Sequence, residues 1–163
     1  MIEILNKKRK MTFVDVDGVL SAPKFGRAGI GMPEETWFRY CIEYGDSAYD
    51  ECGRVPCVAE RLKKEAEDAE LYVLTAVGTS FEADAKRKFV REKYPDVPFD
   101  GFIAVGSSKD KIKAILAMAD SKRILPGDCE IIEDDYPTLL ECAAAGINAT
   151  HLANVAADSV SKS

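Results

Sequence analysis

Nowhere in its 163 residues does the chain string together the ~20 apolar residues that a membrane-spanning helix needs. Its start, MIEILNKKRK, also lacks the apolar core of a secretory signal, so a cytoplasmic location with no membrane partner is expected. No CxxC spacing links any of the five cysteines, Cys41, Cys52, Cys57, Cys129 and Cys142. An odd set without that spacing argues against a disulfide framework and against a zinc knuckle, and reduced, mostly buried thiols are expected. Basic charge is in deficit too. A formal charge of −6 removes the clustered Lys and Arg on which a general nucleic-acid surface depends, and KKRK at 7–10 reads as a solvated lead-in. Internal repeats and low-complexity segments are absent, and only the closing AADSVSKS reads as a frayed tail.

What is present is a 47% hydrophobic content, enough at this length to fill the core of one domain over residues 1–163. After MTFVDV, an apolar run that suits a first strand, regular order resumes at Val55. VPCVAERLKKEAEDA repeats Val58, Leu62 and Ala66 at helical spacing, with Pro56 in its first turn. There follow LYVLT as strand, SFEADAKRKFVREKY as helix, GFIAVG as strand, KDKIKAILAMA as helix, CEIIE as strand, PTLLECAAAG as helix and INATHL as a last strand. Thr79 and Glu82 form a capping box, Pro137 suits a first helical position and Gly146 a helical stop. Strands alternating with helices predict an α/β fold: a three-layer, Rossmann-like parallel sheet with helices on both faces and right-handed crossovers.

Residues 21–54 break the pattern. Rich in glycine and aromatics and too long for a plain loop, they predict a small helical lid or cap inserted after the first strand, with a helix near 34–44 carrying Trp37, Cys41 and Tyr44 on one face beside Phe38 and Ile42. The aromatics Trp37, Phe38, Tyr40, Tyr44 and Tyr49 read as packing residues rather than a base-stacking platform. Arg27 and Arg39 read as solvated, and the single histidine, His151, as a satisfied strand-end residue.

Ligands of open parallel sheets sit beyond the carboxyl ends of the strands, where side chains from successive strands converge. Here those ends carry Asp15 and Asp17, then Thr75, then Ser107, Ser108, Lys109 and Lys111 at a helix start, then Asp134 and Asp135. Carboxylates from the first and fourth of these strands suit a shared hard cation. Asp15, set against a phosphoryl group, suits nucleophilic attack, and Asp17, offset by two residues, suits protonation of the leaving oxygen. Gly18 permits a sharp exit from the strand. The Thr75 hydroxyl, and the Ala76 amide leading toward a helix start, suit phosphate oxygens. A lysine at 109 or 111 neutralises developing charge, and Lys111 gives the better register with Ile115 and Leu116. These are parts for phosphoryl transfer.

In that order the segments resemble the haloacid dehalogenase-like (HAD) superfamily of phosphohydrolases: DVDGVL its first motif, LYVLTA its second, SSKDKIKAI its third and IIEDDYPTLLECAAAG its fourth, together spanning about 11–152. The resemblance implies that Asp15 is the nucleophile of an aspartyl-phosphate mechanism, Asp17 the general acid and base, a lysine at 111 or 109, with Lys111 preferred for its register, the charge-neutralising group, and Thr75 with Ala76 the phosphate-binding pair. It further implies Mg²⁺ held by Asp15, Asp134 and the main chain of Asp17, with Asp135 standing in for the second acid of the fourth motif. Two positions depart from the family pattern: Glu133 fills a glycine position and Thr138 an acidic one. The resemblance implies a small phosphorylated substrate; a looser similarity to the 5'-nucleotidase branch makes nucleoside monophosphates the leading candidates. The alternative reading is a catalytically silent phosphate-sensing or protein-interaction module on the same fold. A phosphatase for protein or nucleic-acid ends fits less well with the acidic balance.

Overall fold

The computed structural model describes residues 8–22 and 32–161. In chain order these form β1 (Lys10–Val14), β2 (Ser21–Ala22), α1 (Glu34–Tyr44), β3 (Gly53–Arg54), α2 (Pro56–Glu65), β4 (Ala69–Ala76), α3 (Ser80–Lys93), β5 (Gly101–Val105), α4 (Lys109–Lys122), β6 (Cys129–Glu133), α5 (Tyr136–Ala144), β7 (Asn148–His151) and α6 (Leu152–Val160). Five strands pair in parallel in the order β5-β4-β1-β6-β7. The expected α/β fold is therefore present. β1 is shorter than MTFVDV suggests and ends at Val14, although the Asp15 amide still donates to the Ile132 carbonyl.

The pleat of the strands divides the core in two. Val14, Leu71, Val73 and Ile132 face one layer, where they meet Val58 and Leu62 of α2, Ala85 and Phe89 of α3 and Val155 of α6. Met11, Phe13, Tyr72, Leu74 and Ile131 face the other, against Ile115 and Ala119 of α4 and Leu139 and Cys142 of α5. Such alternation follows from the two-residue period of a strand, and helices on both faces bury both sets. All five cysteines are free; four are buried and Cys57 half-buried.

Residues 21–54 begin and end together, because Ser21 and Ala22 of β2 pair antiparallel with Arg54 and Gly53 of β3. Within the segment, α1 occupies the span expected of it. Trp37 and Cys41 are buried, whereas Tyr44 and Ile42 on the same helix are exposed. Arg39 is exposed beside Glu35, and Arg27 lies outside the described residues. Trp37 packs flat on Tyr40 and edge-on to Tyr49, which in turn meets Phe89 of α3.

Residues 156–160 of the closing stretch do not fray as expected, and 162–163 lie outside the described residues. AADSV is helical in α6, whose first turn is capped by His151: its Nδ1 accepts from the Ala153 amide at 2.9 Å. α6 packs on α2 and buries Val155, which the polar composition of the tail conceals. Among the described residues no helix is long and apolar enough to cross a membrane.

Candidate active site

The same pleat that divides the core decides which side chains meet at the carboxyl ends of β1, β4 and β6. Asp15 continues the alternation of Met11 and Phe13, and Glu133 that of Cys129 and Ile131, so both acids face α4. Thr75 continues Leu71 and Val73 and faces α3. Each layer supplies one buried lysine: Lys111 from α4 and Lys86 from α3.

Lys111 Nζ lies 3.1 Å from Asp15 Oδ1 and donates to Glu133 Oε2 at 2.6 Å. Glu133 thus turns inward. Its other oxygen accepts from the amides of Asp134 and Asp135, at 2.9 and 3.3 Å, so its lone pairs are engaged on both sides. Burial is the main force on Asp15 and raises its pKa from 3.8 to about 6; Lys111 opposes the rise and Glu133 adds to it. Burial by itself would lower the Lys111 pKa, but Asp15 and Glu133 outweigh it and the ammonium is held above its ordinary range. Lys109, two residues earlier in the chain, is exposed at the start of α4.

Asp17 stands apart from this group. Its carboxylate accepts from the Tyr49 hydroxyl at 2.6 Å and pairs with Lys86 Nζ at 2.8 Å. Lys86 also donates to Thr75 Oγ1 at 3.0 Å and the Ala76 carbonyl at 2.8 Å, and lies 3.0 Å from Glu82 Oε1. Burial would lower its pKa, and Asp17 and Glu82 more than reverse that. Because Thr75 Oγ1 accepts from an ammonium, its own proton is left to donate elsewhere, as phosphate binding requires. The capping box is opened out accordingly. Thr79 Oγ1 accepts from the Glu82 amide at 3.1 Å, but the Glu82 carboxylate takes the Gly78 amide at 2.9 Å instead of that of Thr79.

Among the described residues, oxygens of Asp15, Glu133 and Asp134 lie within 4.8 Å of one another. Asp134 reaches this position over Gly18, which sits at φ +74° and offers no side chain to block it. Asp135, expected beside a metal, lines the same cleft but is not one of these three: its Oδ2 accepts from the amide and the hydroxyl of Thr138, at 3.0 and 2.5 Å. It is the N-cap of α5, where its carboxylate takes the Thr138 amide that the first turn would otherwise leave unpaired. The Asp17 side chain is likewise outside the acidic group, which leaves only its main chain for a metal.

Asp15, Asp17, Gly18, Thr75, Ala76, Ser108, Lys111, Glu133, Asp134 and Asp135 line one cleft of about 280 Å³. Larger hollows lie elsewhere: one of about 540 Å³ between α2 and α6, one of about 510 Å³ beside the start of α3 and one of about 480 Å³ beside β5. The first two also carry acids and basic side chains, but among the described residues only Asp15, Glu133 and Asp134 bring three carboxylates close enough to share an ion. Trp37 is not in the cleft wall. Phe38 instead covers the loop after β4, where a Cβ on Gly78 would lie 2.3 Å from its Cε1.

Lys86 and Tyr49 are the members of this constellation that sequence reasoning missed, and for Glu133 it left the orientation open. Glu133 was legible in the alternation of CEIIE, and Lys86 in its four-residue spacing from Glu82 among the apolar positions Ala85 and Phe89. Tyr49 had no local signal.

No protein-family model matches the sequence, and no curated protein matches it. Solved structures match in shape. A HAD family enzyme from Bacteroides thetaiotaomicron, in complex with magnesium and inorganic phosphate, is similar at a TM-score of 0.60 and 16% identity, over 87% of this chain and 93% of that one. A haloacid dehalogenase-like family hydrolase from Streptococcus pneumoniae is similar at a TM-score of 0.56 and 19% identity, over 87% and 83% of the two chains. This chain has the HAD fold. D,D-heptose 1,7-bisphosphate phosphatase from Burkholderia thailandensis shares it at a TM-score of 0.52 and 16% identity, over 85% of this chain and 74% of that one. Likeness at these identities speaks for architecture, so the chemistry of this HAD fold is argued from its own side chains.

Proposed function

We propose that the protein is a Mg²⁺-dependent phosphomonoester hydrolase working through an aspartyl-phosphate on Asp15. The observation that carries this reading is the convergence of Asp15, Lys111 and Asp134 in one cleft with Thr75 at its rim. The donor set suits the metal. Asp15 and Asp134 are hard oxygen donors, Gly18 clears the approach of Asp134, and Glu133 is already engaged by Lys111 and two amides. We assign the ion to Asp15, Asp134 and the main-chain carbonyl of Asp17. When bound it supplies positive charge that draws the Asp15 pKa down and neutralises phosphate oxygens.

In the proposed reaction a carboxylate oxygen of Asp15 attacks phosphorus, the P–O bond to the leaving group breaks, and Asp17 gives that oxygen a proton. Water then attacks the same phosphorus, passing a proton to Asp17, and the P–O bond to Asp15 breaks to release inorganic phosphate. Lys111 stabilises charge on Asp15 and the transferring group, while the Thr75 hydroxyl and the Ala76 amide hold the phosphoryl oxygens. We read residues 21–54 as a small lid over a single HAD-type domain. The small cleft favours a substrate that presents a terminal phosphate, and small phosphorylated metabolites, nucleoside monophosphates among them, are the class to test first. The Bacteroides thetaiotaomicron enzyme, crystallised with magnesium and inorganic phosphate, supports this choice.

The test is a screen of phosphorylated metabolites with Mg²⁺ and with EDTA, each read against Asp15→Asn. Metal-dependent phosphate release that the substitution abolishes is the expected result. Tight binding of phosphate compounds without turnover across the panel would overturn it in favour of a silent sensing module.

A further inference from the structure

Two donors from different parts of the chain grip the Asp17 carboxylate, one on each oxygen. Tyr49 reaches Oδ1 from residues 21–54, and Lys86 reaches Oδ2 from α3. Both donors are themselves immobilised. Tyr49 is buried, its ring fixed between Trp37 and Phe89, and Lys86 is fully buried with Thr75, Ala76 and Glu82 about its ammonium. The Asp17 side chain keeps 44% of its surface open to solvent and lines the cleft. A carboxylate free to turn would sweep an arc; one held at both oxygens presents the cleft with a single orientation.

We propose that Tyr49 and Lys86 are positioning residues for proton transfer by Asp17, so that the segment between β2 and β3 helps to orient the acid. Lys86 carries a second task, since the same ammonium fixes the direction of the Thr75 hydroxyl proton. Phosphate binding and proton delivery are thereby set by one buried cation. The Tyr49 hydroxyl bonds to the acid and not to Thr75. Its removal separates the two tasks, and the inference rests on the phosphohydrolase reading above only for its kinetic consequence.

The decisive comparison is Tyr49→Phe, which deletes one oxygen and keeps the packed ring, against Asp17→Asn. Each is assayed with Mg²⁺ on an alkyl phosphate, whose leaving oxygen needs a proton, and on p-nitrophenyl phosphate, whose leaving group scarcely does. Tyr49→Phe is expected to lose about tenfold more kcat on the alkyl than on the aryl ester, in the same sense as Asp17→Asn and with KM little moved. Lys86→Met is expected to lower kcat and raise KM together. Equal loss on both esters, or no loss, in Tyr49→Phe while Asp17→Asn still discriminates overturns the inference and leaves the phosphohydrolase reading standing. If no ester is turned over, the orientation is judged by a crystal structure of Tyr49→Phe: a displaced Asp17 carboxylate supports the inference, and an unmoved one overturns it. Thermal melts of each variant identify losses caused by misfolding.

Discussion

Asp134 occupies the space that any side chain on Gly18 would need: a Cβ built there lies 2.0 Å from Asp134 Oδ2. The glycine of the DVDGVL stretch therefore serves an acid more than a hundred residues later, besides taking a left-handed turn at φ +74°. Gly18→Ala is expected to cost on the order of 1–2 kcal/mol from the backbone alone. Pushing Asp134 aside is expected to weaken Mg²⁺ binding by about 10–100-fold. Calorimetric titration with Mg²⁺ beside a urea melt measures both, and unchanged metal affinity would count against Asp134 as a ligand.

Lys111 and Glu133 form a buried pair, and a single partner cannot be removed without stranding the other charge. Lys111→Met is expected to destabilise the fold by about 3–5 kcal/mol, because two carboxylates, Asp15 and Glu133, then face each other without their cation. Adding Glu133→Leu should recover part of that loss rather than add to it. Chemical denaturation of the two single variants and the double variant gives the coupling, and simple additivity would contradict the pairing.

The raised pKa of Asp15 makes a signed prediction for the protein in EDTA. A group lifted from 3.8 to about 6 in the folded state favours folding fully below pH 3.8, and that contribution is lost as pH rises through 6. Asp15→Asn lacks the titration. The stability of the wild type minus that of the variant should thus fall by on the order of 3 kcal/mol between pH 4 and pH 7. A difference independent of pH would show that Asp15 is not buried as described.

Phe38 and Gly78 hold α1 against the loop after β4. Gly78→Ala is expected to destabilise by about 1–3 kcal/mol through overpacking against the ring. In a Phe38→Ala background the same substitution should be near neutral, since the obstructing ring is gone. Denaturant midpoints of the four proteins decide this; an equal cost in both backgrounds would place the strain elsewhere.

Much of this was legible along the chain. The strand and helix order from Val55 to His151 follows from local periodicity and end signals, and Asp15, Thr75, Lys111 and Asp134 follow from their places at strand ends and a helix start. Asp135 has a role that sequence reading overlooked, because an acid beside a metal site and an acid capping the next helix look alike in sequence; its bonds to Thr138 identify the cap. The tail was misread because a helix held by one buried valine and a histidine cap has little apolar signature.

By itself the sequence determined the alternation of strands and helices, and which acids and lysines stand at the carboxyl ends, since both depend on spacings of a few residues. Only the tertiary structure decided the partners: Glu133 with Lys111, Tyr49 and Lys86 with Asp17, Asp134 over Gly18. The physical reason is distance along the chain. Asp17 and Tyr49 are 32 positions apart, and no periodicity within either segment encodes which ring or ammonium from another layer will be packed against a given carboxylate.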